Sequence, residues 1–217
     1  MRSWLAAALL LLGSTEAAAA APGASFRFAG VQFEAPLPEG YCLPSGADVD
    51  AAQLLAAADR ENVTHLTLYP CRATEGPAVD YILIKTPRRA LLGTFDRQQL
   101  LSELGETFAS REFSTFLSQL PDRLEEDMST TLGTRFDLTG QIAPRGRDDV
   151  CAYLAGTVQV TSDQVSYPIS IATCITVIAG RALTINWYGP DRGSVGVAEL
   201  MIRARRFAER ITGHPPS

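Results

Sequence analysis

Cysteine stands at positions 42, 71, 151 and 174 of this 217-residue chain and nowhere else, and no other feature restricts the fold as tightly. An even number of cysteines in an exported chain predicts disulfides, and the N-terminus predicts export. Arg2 supplies a positive charge, Leu5 to Leu12 form an unbroken apolar run, and Ala17 to Ala21 offer small-residue cleavage positions. That is the pattern of a signal peptide over residues 1–20, with periplasm or secretion as the expected destination. The run falls well short of the roughly 20 apolar residues a spanning helix needs, and later segments of that length all carry charge. The chain is therefore expected not to be membrane-spanning.

Spacing selects among the three possible pairings. Val150, Ala152, Leu154, Val158 and Val160 alternate with more polar positions, and Val165, Tyr167, Ile169 and Ile171 do the same, which predicts two strands. If Thr161 to Gln164 form the connecting loop, Val160 pairs with Val165, Leu154 with Ile171, and Cys151 with Cys174. The two cysteines then lie opposite each other, on the face away from the apolar stripe. Cross-strand Cβ atoms are roughly 4.5 to 5.5 Å apart, close enough to bridge. Cys42 and Cys71 pair by elimination. Redox and zinc roles lack support, because no C-x-x-C is present and the only histidines are His65 and His214. No metal site and no cofactor are expected.

With 19 Lys+Arg against 24 Asp+Glu, the net charge is -5, which offers no basic field to a polyanion, so nucleic acid is not expected as a partner. A composition of 46% hydrophobic and 20% charged residues can form a core and argues against wholesale disorder.

Along the chain, Phe26 to Phe28 and Val31 to Phe33 flank Ala29-Gly30 as a hairpin. Asp48 or Asp50 is the expected cap of a short helix from Ala51 to Ala58, followed by strands from His65 to Cys71 and Val79 to Lys85, separated by a turn over 73–77. Thr94 is the expected cap of a helical segment whose apolar positions run from Leu100 through Phe108, Phe116 and Leu124 to Met128, with either a kink or a helix restart near Gln119 to Pro121 because proline removes a backbone donor. Strands return at Arg135 to Ile142, in the hairpin above, and at Leu183 to Tyr188 after a Gly180-Arg181 turn. These four should form an antiparallel meander. A last helix from Ser194 carries Val197, Leu200, Met201, Ala204, Ala208 and Ile211 on one face. Residues 21–217 read as a single α+β domain, an antiparallel sheet (hairpin plus C-terminal meander) with helices packed on its faces.

The opening hairpin leading into Pro36-Leu37-Pro38-Glu39-Gly40-Tyr41, and the closing order of meander, Gly180 turn, strand with Trp187-Tyr188 and amphipathic helix, resemble the PsbP-like fold family. The four cysteines and the long helical segment from Leu91 to Met128 depart from that pattern. The resemblance implies protein-binding or scaffolding work and carries over no catalytic residue.

Residues that could bear chemistry are few. His65 reads as a half-exposed strand residue and His214 as part of a frayed tail, and no G-x-S-x-G is present. Glu125-Glu126-Asp127 and Asp148-Asp149 read as solvated surface. The stretch Gly189 to Gly196 joins a strand to a helix N-terminus, and Arg192, Gly193, Ser194 and Gly196 could present backbone N–H groups to an anion or ligand. On the last helix Arg203, Arg206 and Arg210 share a polar face, with Glu199 placed to pair with Arg203, and form a candidate partner patch. Arg88-Arg89 is a lesser basic pair. The expected function is an exported bacterial cell-envelope protein that binds or scaffolds an envelope protein, without a catalytic site. A periplasmic hydrolase with an unrecognised site and a small-ligand or lipid carrier are the alternatives.

Overall fold

A computed structural model describes residues 23–72, 79–133, 135–163 and 165–214, so the expected leader and the turn over 73–77 lie outside the described residues. Strands β1 (Gly23–Phe28) and β2 (Val31–Pro36) pair about Ala29-Gly30, both with positive φ, as a tight right-twisting hairpin turn requires. Their third partner is β10 (Thr212–His214), which sets His214 opposite Gln32. The predicted frayed tail is thus a strand that returns to close a small sheet.

Among the described residues the main sheet has seven strands in the order β3 (Tyr41–Cys42), β4 (Asn62–Pro70), β5 (Tyr81–Pro87), β9 (Arg181–Pro190), β8 (Ser166–Ile178), β7 (Ala152–Ser162) and β6 (Phe136–Arg147), antiparallel throughout. The predicted meander is present as β6 to β9, and the fold is α+β. The turn between β8 and β9 is Ala179-Gly180 rather than Gly180-Arg181, because Ile178 pairs with Arg181 and both intervening residues have positive φ. Gly156 lets β6 and β7 approach: a Cβ there would sit 1.8 Å from the carbonyl oxygen of Gln141.

The β7–β8 register differs from the predicted one by two residues. Ser162 N–H donates to Val165 O at 2.8 Å, which tightens the turn, so Val160 faces Tyr167 and Tyr153 faces Cys174. A two-residue shift keeps every side chain on its face, and Cys151 still reaches Cys174 diagonally, with Cα atoms 5.1 Å apart. The face away from the predicted stripe is the principal core, and both cysteines are 0% exposed within it. Cys42 and Cys71 form the second bridge, with Cα atoms 4.9 Å apart.

Helix α4 (Gly193–Arg210) covers that core face with Val197, Leu200, Ala204, Phe207 and Ala208, which pack over Ala155, Ala172, Leu183, Ile185 and Trp187. The other face receives α2 (Arg97–Phe108) and α3 (Arg111–Leu132), while α1 (Ala47–Ala58) lies by β4. Helix α1 starts at Gly46 without a side-chain cap, and Asp48 and Asp50 fall in its first turn, where they oppose the positive dipole end instead of capping it. Asp96, not Thr94, caps α2 by accepting from Gln99 N–H. The helical segment breaks at Ala109-Ser110, where Ser110 accepts from Phe113 N–H at 3.1 Å and starts α3, which then runs through Pro121. The restart expected at the proline therefore falls at an N-cap serine eleven residues earlier.

Candidate functional site

His65 is the obvious residue to test for catalysis, and the fold uses it as a packing element. Its ring stacks on Phe28, with centroids 4.3 Å apart, and on Phe26 at 5.3 Å, so it joins the small sheet to β4. Thr86 Oγ1 donates to Ala182 O at 3.1 Å and lies 2.9 Å from His65 Nε2, which assigns the proton to Nε2 in this contact. Burial pulls the imidazole down to about 4, so it is neutral at neutral pH.

The acidic groupings also have structural tasks. Burial pushes the Asp148 carboxyl up, but hydrogen bonds from Tyr153 and from Cys151 and Val150 N–H, with the Arg205 charge, outweigh it and hold the group below the usual range. Glu125 accepts from Leu138 N–H across to β6. The side chain of Asp127 lies outside the described residues. Among the described residues no cluster of three or more His, Cys, Asp or Glu side chains is arranged to hold a metal.

At the β9–α4 junction, the first turn of α4 already faces a carboxylate. Asp191 Oδ1 accepts from Gly193 N–H at 2.9 Å, from Ser170 Oγ at 3.1 Å and from Thr157 Oγ1 at 3.2 Å. The Gly193 bond is the largest influence holding Asp191 below its ordinary range. Arg192 and Gly196 line a recess of about 50 Å³ with Asp80, Glu199 and Arg203, room for a water molecule or two. Glu199 ties Arg192, at 3.9 Å, to Arg203, and Arg203 lies 6.0 Å from the centroid of Trp187. Trp187 Nε1 donates to the Tyr41 hydroxyl at 3.1 Å, and that hydroxyl donates to Asp80. Burial, reinforced by Asp80, pushes the Tyr41 phenol up, so it remains a proton donor. The structure therefore brings Arg192 and Arg203 together through Glu199. Ser194 is exposed in the first turn of α4, and Arg206 and Arg210 are exposed without an ion pair among the described residues.

A larger feature escaped the sequence. Strand β6 is the last of the main sheet, and α3 packs chiefly on it, leaving a groove of about 480 Å³ between them. Leu117, Leu120 and Pro121 of α3 form one wall, and Leu138, Ile142 and Val158 form the sheet side. A helical proline followed by a strand with glycine and proline at alternate positions, Gly140 and Pro144, was the available signal, since both residue types mark the edges of packed structure.

No protein-family model matches the chain, and no curated protein matches it. Among solved structures it is similar to the solution structure of cyanobacterial PsbP (CyanoP) from Synechocystis sp. PCC 6803, at 11% identity and a TM-score of 0.40, over 94% of this chain and 99% of that one.

Proposed function

We propose that the chain is an exported, disulfide-stapled binding or scaffolding module of the bacterial cell envelope, with no catalytic role. The observation that carries export is the pair of bridges, Cys42–Cys71 and Cys151–Cys174, the second fully buried in the core. Paired cysteines persist in oxidising compartments. Support for binding over hydrolysis comes from His65, which packing and Thr86 hold as a neutral stack member, and from the acidic groups engaged in turns and ion pairs.

The test expresses the full chain with its own leader in a Gram-negative host and examines the osmotic-shock fraction. Expected are a mature N-terminus at Ala21 and no titratable thiol before reduction. Retention of Met1 together with four reactive thiols would remove the envelope assignment. Turnover of a general esterase or phosphatase substrate that His65→Phe abolishes would replace the binding reading with an enzyme.

A further inference from the structure

The edge of β6 and the groove beside it together define a class of ligand. Glu125 of α3 accepts from Leu138 N–H, so that group points away from β7. Antiparallel ladders alternate, and Leu138 pairs with Val160, Gly140 with Val158 and Ile142 with Gly156, so the N–H and C=O groups of Gly140 and Ile142 also point outward. Among the described residues no strand pairs with that edge. Pro144, at the next outward position, has no N–H to offer.

We propose that β6 receives an extended peptide of a partner protein, added antiparallel to its free edge, with alternate apolar side chains seated in the groove beneath α3. The inference rests on the binding-module reading and names its partner class. Strand addition supplies affinity through main-chain hydrogen bonds and selectivity through pockets for alternate side chains. The groove runs from Leu138 to Pro144, roughly 20 Å of strand, enough for three side chains at period two.

Charge sets the direction. Beyond Pro144 the exposed side chains are Arg145 and Arg147, whereas the Leu138 end carries Glu125 and Asp137, the latter paired with Arg135 at 3.4 Å, so that this end is net acidic. An antiparallel peptide therefore fits best with acidic residues at its N-terminal flank and basic residues at its C-terminal flank. A second copy of this chain does not fit. Pairing β6 with itself brings two copies of α3 over strands about 4.8 Å apart, while packed helix axes need 8–10 Å.

Fluorescence anisotropy of the oxidised full-length mature protein tests the proposal with a labelled peptide carrying Val, Leu and Val at alternate positions between two N-terminal Asp and two C-terminal Lys. Saturable binding is expected, with about tenfold weaker binding when N-methyl groups block the amides that face β6 and little change when they block the alternate set. Exchanging the two charged flanks weakens binding, and Leu117→Asp, on the α3 wall, abolishes it while the protein stays cooperatively folded, with an unfolding midpoint close to that of Leu117→Ala. No saturation up to millimolar peptide, or equal loss from both N-methylated sets, overturns the site. Crosslinking of an envelope protein at unchanged yield by Leu117→Asp also overturns it, and leaves the binding-module reading in place.

Discussion

The two faces of the main sheet are closed by helices with opposite relations to the strands beneath. On one face α4 crosses central strands and sinks Leu200, Ala204, Phe207 and Ala208 among Trp187, Ile185 and the buried cysteine pair. On the other, α3 rides the outermost strand, keeps Leu117 and Leu120 half-buried and Phe116 42% exposed, and leaves the groove open. Both helices are amphipathic, so helical periodicity alone does not decide how completely a helix is buried. Position in the sheet decides it: a helix over a central strand meets side chains from both neighbours, and a helix over an edge strand meets them from one.

The sharpest way to break this contrast is to empty the sealed face. Phe207 is 2% exposed and meets Trp187 edge-on with ring centroids 6.3 Å apart. Phe207→Ala should cost about 3–5 kcal/mol in equilibrium denaturation. A loss under about 1 kcal/mol would show that α4 does not carry the core.

Next in size are the bridges. Their sequence separations, 23 and 29 residues, give nearly equal loop-closure contributions of about 3 kcal/mol each. Burial separates them, because Cys71 is exposed while Cys151 and Cys174 are not. Mild reductant on the native protein should therefore open Cys42–Cys71 first, read by alkylation and peptide mass. Equal rates would mean that the α4 face opens as readily as the surface.

These contrasts show what the sequence could and could not disclose. The Cys151–Cys174 hairpin and the α4 stripe were legible because both rest on periodicity between near neighbours. The pairing of β5 with β9, Ile82 to Trp187 and Ile84 to Ile185, was not, because it joins segments far apart in the chain and no local pattern specifies it. The same pairing merges the N-terminal strands with the meander and gives the core its width. Register failed by two residues because the turn is centred one residue further along the chain than expected, while the faces were placed correctly relative to each other. The groove left only the hint of Pro121, Gly140 and Pro144, since it exists because β6 ends the sheet among the described residues and only two residues, the second of them the cap Ser110, separate α2 from α3.

A third contrast lies at the seam between the small sheet and the main one. His65 is neutral in the folded protein down to about pH 4 and protonates near 6.5 when unfolded. The unfolded state therefore binds more protons between those values, and stability should fall as pH drops from about 6.5 to 4, by about 2 to 3 kcal/mol, and then level off for this group. His65→Phe keeps the stack and removes the titration. Its denaturation midpoint should vary less across that window than the wild type's, and an unchanged slope would assign the pH dependence to other groups.

The smallest effect is expected where the face is least sealed. Leu117 is half-buried on the groove wall, so truncation removes few contacts and leaves a hollow that solvent already reaches. Leu117→Ala should therefore cost about 1 kcal/mol or less, against several for Phe207→Ala, although both remove a large apolar side chain from an amphipathic helix. A loss of about 3 kcal/mol would mean that the α3 wall is packed in solution as tightly as α4, and the groove would then be core rather than an open site. A small loss joined to weaker peptide binding would place the function of Leu117 in recognition, and the edge position of β6 would be the reason.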